Sequence, residues 1–180
     1  LMDSQMLQNI AEQHSFNAFI NSFLREWKDF SIEQNGANTS LEIRIENSLF
    51  HIPIKTSRIL GKFQTLNGIQ WVSEGKVFNL TPLDAAKEII FSLAQTDSEK
   101  AEKFYARVES SFQSMKNSLC ERLKERTSIS LDFINSEQEL ILGHPFHPTP
   151  KSREALSLEE AAQFCPEYRQ SFGIRWYLVD

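Results

Sequence analysis

Residues 41–55, "LEIRIENSLFHIPIK", alternate apolar Leu41, Ile43 and Ile45 with charged Glu42, Arg44 and Glu46, and resume after Asn47-Ser48 as "FHIPIK". A period of two sends successive side chains to opposite faces of a pleated strand, so the stretch reads as an antiparallel hairpin with one wet face. Short strands follow in "KFQTL" (62–66) and "IQWVSE" (69–74), joined by Asn67-Gly68, and in "KVFNL" (76–80) after Glu74-Gly75. The expectation is a small, mostly antiparallel sheet over residues 41–80.

On either side the period lengthens. Phe16, Phe19, Ile20, Phe23, Trp27 and Phe30 recur at helical spacing and predict one amphipathic helix over about 4–30, with "EQNGANTS" (33–40) as the loop after it. Thr81 and Pro82 form a cap and first-turn pair that starts a helix in which Leu83, Ala86, Ile90 and Leu93 share a face. A second helix starts near Asp97 or Ser98 and carries Phe104, Val108, Phe112, Met115, Leu119 and Leu123, a stripe that reads as core. A third is predicted over "SLDFINSEQELIL" (130–142), capped by Ser130 and stopped by Gly143 in a left-handed turn. Ser157 opens another short helix that Pro166 ends, and "GIRWYLV" (173–179) reads as a strand. The fold class is therefore α+β: N-terminal helices on a small antiparallel sheet, then the start of a second sheet.

Composition narrows the function classes. With 180 residues, 41% of them hydrophobic and 14 of them phenylalanine, the chain has material for one sizeable core or a core with a small satellite. A net charge of −5 without a long basic run argues against nucleic-acid binding. No apolar run reaches the ~20 residues that cross a bilayer, and the start lacks a signal peptide's basic and apolar regions, so no membrane partner and a cytoplasmic location are expected. Cys120 and Cys165 are expected to be reduced thiols. Leu1 stands before Met2, and the apolar end has no turn after it, which suggests a piece of something longer.

The residues that carry chemistry lie in "GHPFHPTPKSR" (143–153). Proline pushes the residue before it out of the helical region, and near polyproline geometry, with three residues per turn, His144 and His147 would project from one edge. Lys151 and Arg153 follow, and Thr149 and Ser152 add hydroxyls. A point charge, a forked guanidinium and two imidazoles suit an anion with several oxygens, such as a phosphate or polycarboxylate. A metal site is not expected, because His-x-x-His has no third ligand at sensible spacing and the two cations would repel a metal ion. The other reading of the residues is structural: the histidines cap the preceding helix and the prolines stop it.

The run "EQELILGHPFHPTPKSR" (137–153), with "CPEY" (165–168) and "GIRWYLV" beyond it, resembles the N-terminal signature of the siderophore synthetases that work independently of nonribosomal peptide synthetases, the family of the aerobactin synthetase components. The resemblance implies an enzyme that uses ATP, with Mg2+, to activate citrate or a related polycarboxylic acid as an acyl-adenylate. It then joins the acyl group to an amine, hydroxylamine or alcohol. It also implies His147 and Lys151 as catalytic residues, and His144 and Arg153 as substrate and ATP contacts, to which the hydroxyls of Thr149 and Ser152 are added as binding candidates from the residue reading. Glu167 would be structural, pairing with a loop cation.

By the same resemblance, residues 1–142 would be a thumb-like domain and 143–180 the first part of a fingers-like catalytic domain whose C-terminal remainder is missing. A homodimer is left open. Two positions depart from the pattern: "EALS" (154–157) puts Ala155 where the family has glycine, and Phe164-Cys165 replaces an aromatic-serine pair. These bear on substrate preference. The alternative to an enzyme fragment is a stand-alone binding module that keeps the motif for its structure.

Overall fold

The computed structural model describes residues 4–36, 38–55, 62–124 and 132–178. Helix α1 (Ser4–Glu26) precedes six strands: β1 (Phe30–Asn35), β2 (Asn38–Ile45), β3 (Ser48–Lys55), β4 (Gln64–Thr65), β5 (Ile69–Ser73) and β6 (Lys76–Leu80). Helices α2 (Pro82–Ala94), α3 (Ser98–Lys124), α4 (Phe133–Gln138) and α5 (Leu158–Phe164) follow, and a 3-10 turn spans Pro166–Tyr168. Strands run in the order β1-β2-β3-β5-β6, all antiparallel, with β4 also on β3. Among the described residues no helix is long and apolar enough to cross a membrane.

The alternation at 41–55 places the core as expected. Leu41 pairs with Ile52 and Ile43 with Phe50, so both strands turn the same apolar set to one face. There they meet Phe16, Phe19 and Ile20 of α1 and Ala85, Ala86, Ile89 and Ile90 of α2, while α3 adds Ala101 and Val108. Glu42, Arg44 and His51 take the opposite face, where Glu42 Oε2 lies 2.8 Å from Arg44 Nη2 and Oε1 lies 3.1 Å from His51 Nδ1. The result is a helical layer packed on one side of a sheet, an α+β fold.

Several boundaries differ from expectation. The first helix ends at Glu26, and Phe30 belongs to a strand instead: "FSIEQN" pairs with β2, Phe30 opposite Ile43 and Ile32 opposite Leu41. Asn35-Gly36, placed in a loop, belongs to the hairpin turn, with Gly36 at φ +61°. Asn67-Gly68 does not join paired strands. β4 and β5 lie end to end along β3, opposite 54–55 and 48–51 respectively, so the dipeptide sits in a break within one strand line. Glu74-Gly75 does form a hairpin, both residues having positive φ (+50° and +74°).

The edge of β4 is closed by a helix. Gln13, Asn17 and Asn21, four residues apart on α1, reach its backbone. The Thr65 amide donates to Asn17 Oδ1 (2.8 Å), Gln13 Nε2 donates to the Thr65 carbonyl (3.0 Å), and the Phe63 amide donates to Asn21 Oδ1 (2.6 Å). Asn21 Nδ2 donates to the Phe63 carbonyl at 2.9 Å. These amides do what a neighbouring strand would do, satisfying groups that burial would otherwise leave unpaired.

Thr81 caps α2 as expected, accepting from the Asp84 amide at 3.2 Å. α4 is shorter than expected, six residues from Phe133, and Asp132 is its cap. Ser130 lies outside the described residues. Ser157 opens α5 in a capping box with Glu160. The closing strand is not formed: residues 173–178 have no regular pairing, and Trp176, Tyr177 and Leu178 are exposed. An apolar alternation becomes a strand only beside a partner for its backbone groups, and none lies next to it among the described residues.

Candidate functional site

The His-Pro segment does not leave a helix directly, because four residues, 139–142, separate Gln138 of α4 from Gly143. Nor is it a polyproline rod. Three turns follow one another: the His147 amide donates to the His144 carbonyl (3.3 Å), Ser152 to Thr149 (3.3 Å) and Leu156 to Arg153 (3.2 Å). Pro145 and Pro150 stand second in the first two turns, where a fixed φ is already correct for a bend. The spacing that suggested polyproline therefore encodes turns.

Gly143 closes this chain of turns on itself. Its φ is +71°, and a Cβ there would lie 2.8 Å from Pro150 Cβ and 3.1 Å from the Pro150 carbonyl oxygen. Each histidine also locks its own turn. His144 Nδ1 accepts from the Phe146 amide (3.2 Å) and His147 Nδ1 from the Thr149 amide (3.1 Å). An accepting ring nitrogen carries no proton, so the N–H of each neutral ring is at Nε2. Both residues are exposed.

The loop is fastened to α1 and then to α3. The Arg25 guanidinium lies 4.0 Å from the Phe146 ring centroid, and Pro148 lines an apolar cleft with Phe19, Phe23 and Phe104. On α3, the Ser111 hydroxyl accepts from the Lys151 amide at 2.9 Å and Ser110 from the Arg153 amide at 3.5 Å. Arg107 pairs with Glu154 through two of its guanidinium nitrogens, Nε to Oε1 at 2.6 Å and Nη2 to Oε2 at 3.2 Å. Ser110 and Ser111 are positions that reading the helix only for its apolar stripe passes over.

Lys151 and Arg153 converge on Glu167. Lys151 Nζ and Arg153 Nη2 each lie 3.2 Å from the same oxygen, Glu167 Oε1. The carboxylate side chain is 3% exposed, that of Lys151 8% and that of Arg153 28%. The expected pairing of Glu167 with a loop cation is present, and it takes both cations. Burial would lower the Arg153 pKa, but the neighbouring Cys165 and the Glu167 carboxylate outweigh it and hold the guanidinium above its usual value. Thr149 is half-buried and engaged through its backbone. Ser152 Oγ is buried and meets no hydrogen-bond partner among the described residues.

Two positive charges against one negative leave the cluster with one net positive charge. Beside Arg153 and Glu167 opens a cleft of about 330 Å³, which Ser110, Gln113, Ser114 and Ser157 also line. The segment bearing Glu167 is tied down in turn: Arg169 pairs with Glu139 just beyond α4, and Arg122 lies 3.2 Å from the same carboxylate oxygen. The structure thus brings Lys151, Arg153 and Glu167 together at α3. His144 and His147 stay on the exposed part of the loop.

Comparison with known proteins places this region. Residues 132–180 match the IucA / IucC family. An Escherichia coli N(2)-citryl-N(6)-acetyl-N(6)-hydroxylysine synthase is 43% identical over 51 residues, 28% of this chain and 9% of that protein. A Staphylococcus aureus L-2,3-diaminopropanoate–citrate ligase is 32% identical over 117 residues, 61% of this chain and 20% of that protein. Among solved structures, the ATP-bound aerobactin synthetase IucA of Klebsiella pneumoniae superposes with a TM-score of 0.75 at 24% identity, covering 88% of this chain and 29% of that one. The last likeness shows a shared fold, and this chain spans under a third of that protein's length.

Proposed function

We propose that this chain, which matches the IucA / IucC family over residues 132–180, belongs to the siderophore synthetases of that family and supplies one wall of an ATP-dependent carboxylate-activating site. The activity is that of a ligase acting on citrate or a related polycarboxylic acid. A carboxylate oxygen attacks the α-phosphorus of ATP, and the bond to pyrophosphate breaks. An amine, hydroxylamine or alcohol then attacks the acyl carbon, AMP leaves, and the nucleophile gives up its proton. The remaining walls belong to the part of such enzymes that lies beyond this stretch, which the 29% coverage of the solved relative supports.

The observation that carries this reading is the charge of the loop. Within the family-matched segment, two cations share one buried carboxylate oxygen and leave a positive charge uncompensated. A buried charge of that kind is unfavourable alone and is relieved by an arriving anion. In this proposal Lys151 and His147 act on the phosphate and carboxylate oxygens, the ammonium of Lys151 and the Nε2–H of His147 aimed at charge that develops during transfer. His144, Thr149 and Arg153 hold the substrates, and Ser152, whose buried hydroxyl has no hydrogen-bond partner among the described residues, completes the donor set for an anion. The thumb-like and catalytic parts divide at Gly143, where the left-handed turn begins.

Mg2+ finds no such fit. Among the described residues no cluster of three or more histidine, cysteine or acidic side chains could hold a metal ion, and Glu167 is already engaged by two cations. No step is assigned to the metal through these residues. The reading is tested by titrating the isotopically labelled chain with ATP, pyrophosphate and citrate while following the imidazole signals of His144 and His147. Saturable shifts in these signals and in the amides of residues 149–153, absent with an uncharged sugar, are expected. Unmoved signals at millimolar anion would overturn it.

A further inference from the structure

We propose that Glu167 is the positioning residue of the His-Pro loop, a buried counter-ion that fixes where Lys151 and Arg153 stand and sets the loop's net charge. The inference rests on the reading of that loop as an anion-binding wall. The Glu167 side chain is 3% exposed, its Oε1 is taken by both cations, and as an anion it would repel an anionic ligand. Its carboxylate therefore acts through the two cations it holds.

The loop is held in two independent ways. Its backbone is fastened to α3 by the hydroxyls of Ser111 and Ser110, which accept from the amides of residues 151 and 153. Those bonds fix the chain but leave two long, flexible side chains free to swing. Glu167 removes that freedom: it reaches across from the 3-10 turn and takes Nζ of one and Nη2 of the other on a single oxygen, 3.2 Å from each. A long cationic side chain loses rotamer entropy when ordered, and the structure has met that cost before any ligand arrives.

The turn that carries Glu167 is built for stiffness. Pro166 opens it, Arg169 ends it in a left-handed conformation at φ +55°, and the Arg169 guanidinium is anchored on Glu139. The segment around α4, the loop and the 3-10 turn thus form one interlocked unit. Two charges decide how it responds to substitution. With Glu167 in place the cluster is +1; with a neutral side chain there it becomes +2.

That difference separates positioning from simple attraction. If only the number of charges mattered, Glu167→Gln would bind an anion more tightly. If Glu167 positions the cations, the same variant binds more weakly, because the added charge is no longer held where the ligand meets it. The experiment measures pyrophosphate affinity and thermal midpoint for the wild-type chain, Glu167→Gln, Glu167→Asp, Lys151→Met and the Lys151→Met/Glu167→Gln double variant.

We expect Glu167→Gln to lose affinity by about tenfold, the effect of one misplaced charge-assisted hydrogen bond. Glu167→Asp, which keeps the charge on a shorter arm, should recover part of it. In thermal melts, Glu167→Gln should fall by roughly 10 °C, as expected for a buried ion cluster robbed of its one anion. The double variant should melt above Glu167→Gln alone, because one stranded cation has gone. Unchanged or tighter pyrophosphate binding by folded Glu167→Gln would overturn the inference, as would melting losses for positions 151 and 167 that simply add. Should the wild-type chain bind no pyrophosphate, the anion-wall reading falls, and the order of melting temperatures still decides whether Glu167 holds Lys151.

Discussion

Replacing Gly143 with alanine strikes the His-Pro loop twice. The backbone there has φ +71°, a left-handed conformation that costs an L-residue with a side chain about 1–2 kcal/mol. The new methyl would also stand 2.8 Å from Pro150 Cβ and 3.1 Å from the Pro150 carbonyl, neither of which belongs to a flexible side chain that could move aside. Overpacking of that kind adds about 1–3 kcal/mol. The unfolded chain gives back about 0.4–1 kcal/mol through its lost freedom, so the net cost is about 1–5 kcal/mol. For a chain of this size that is roughly 2–20 °C in thermal midpoint. Gly75→Ala supplies the control, because Gly75 has a similar φ of +74° but nothing within 4 Å of its would-be Cβ. Circular dichroism melts of both variants isolate the packing contribution. A Gly143→Ala midpoint within about 1 °C of Gly75→Ala would refute the claim that the loop closes on residue 150.

Two other outcomes follow from side chains outside the loop. Asn21→Ala leaves both the amide and the carbonyl of Phe63 without their partner on α1, and at about 1–3 kcal/mol per unsatisfied group the loss should be at least 2 kcal/mol, with faster amide exchange at Phe63. Unchanged exchange there would contradict the idea that α1 closes the sheet. His14 is exposed as a residue, but partial desolvation of its ring first, and then the charge of Lys62, lower its pKa, so the unfolded state takes up a proton that the folded state resists. Stability from this group is full above the ordinary value of 6.5 and is lost as pH falls through and below it. Urea melts at a series of pH values should show this slope in the wild-type chain and a shallower one in His14→Gln; equal slopes would refute the assignment.

What was legible depended on whether a local pattern sufficed. The hairpin at 41–55 was readable because Leu41, Ile43 and Ile45 register directly against Ile52, Phe50 and Ser48, a match any antiparallel pairing of that alternation enforces. Thr81 and Ser157 were readable as caps because capping is a contact among neighbours in sequence. β1 was missed because Trp27 and Phe30 extend the spacing of α1, while the helix stops where its backbone is needed for pairing with β2. The Trp27 indole instead donates to the carbonyls of Asp29 and Arg44, at 3.2 and 3.1 Å. Neither the grip of Gln13, Asn17 and Asn21 on β4 nor that of Ser110 and Ser111 on the loop was legible, since each partner lies some 40 or more residues away.

The candidate site shows the same division. Its residue types pointed to an anion, and the pairing of Glu167 with a loop cation was expected from the family signature. That a single oxygen takes both Lys151 and Arg153 is a property of tertiary structure, set by where the 3-10 turn meets α3. The prolines were informative in a different way from the one expected. Pro145 and Pro150 each fix a bend, so His144 and His147 stand at the two ends of the first turn, with their Nδ1 atoms occupied by backbone amides.

Whether this loop is a wall of an adenylating site comes down to carboxylate-dependent release of pyrophosphate from ATP. The measurement takes this chain joined to the catalytic region of an IucA / IucC synthetase, with citrate and related polycarboxylic acids as acceptors. Release should require the carboxylate and should fall by at least tenfold in folded Lys151→Ala, the loss of one charge-assisted contact to the reacting oxygens. Release that proceeds equally without a carboxylate, or that is untouched by Lys151→Ala, would contradict it.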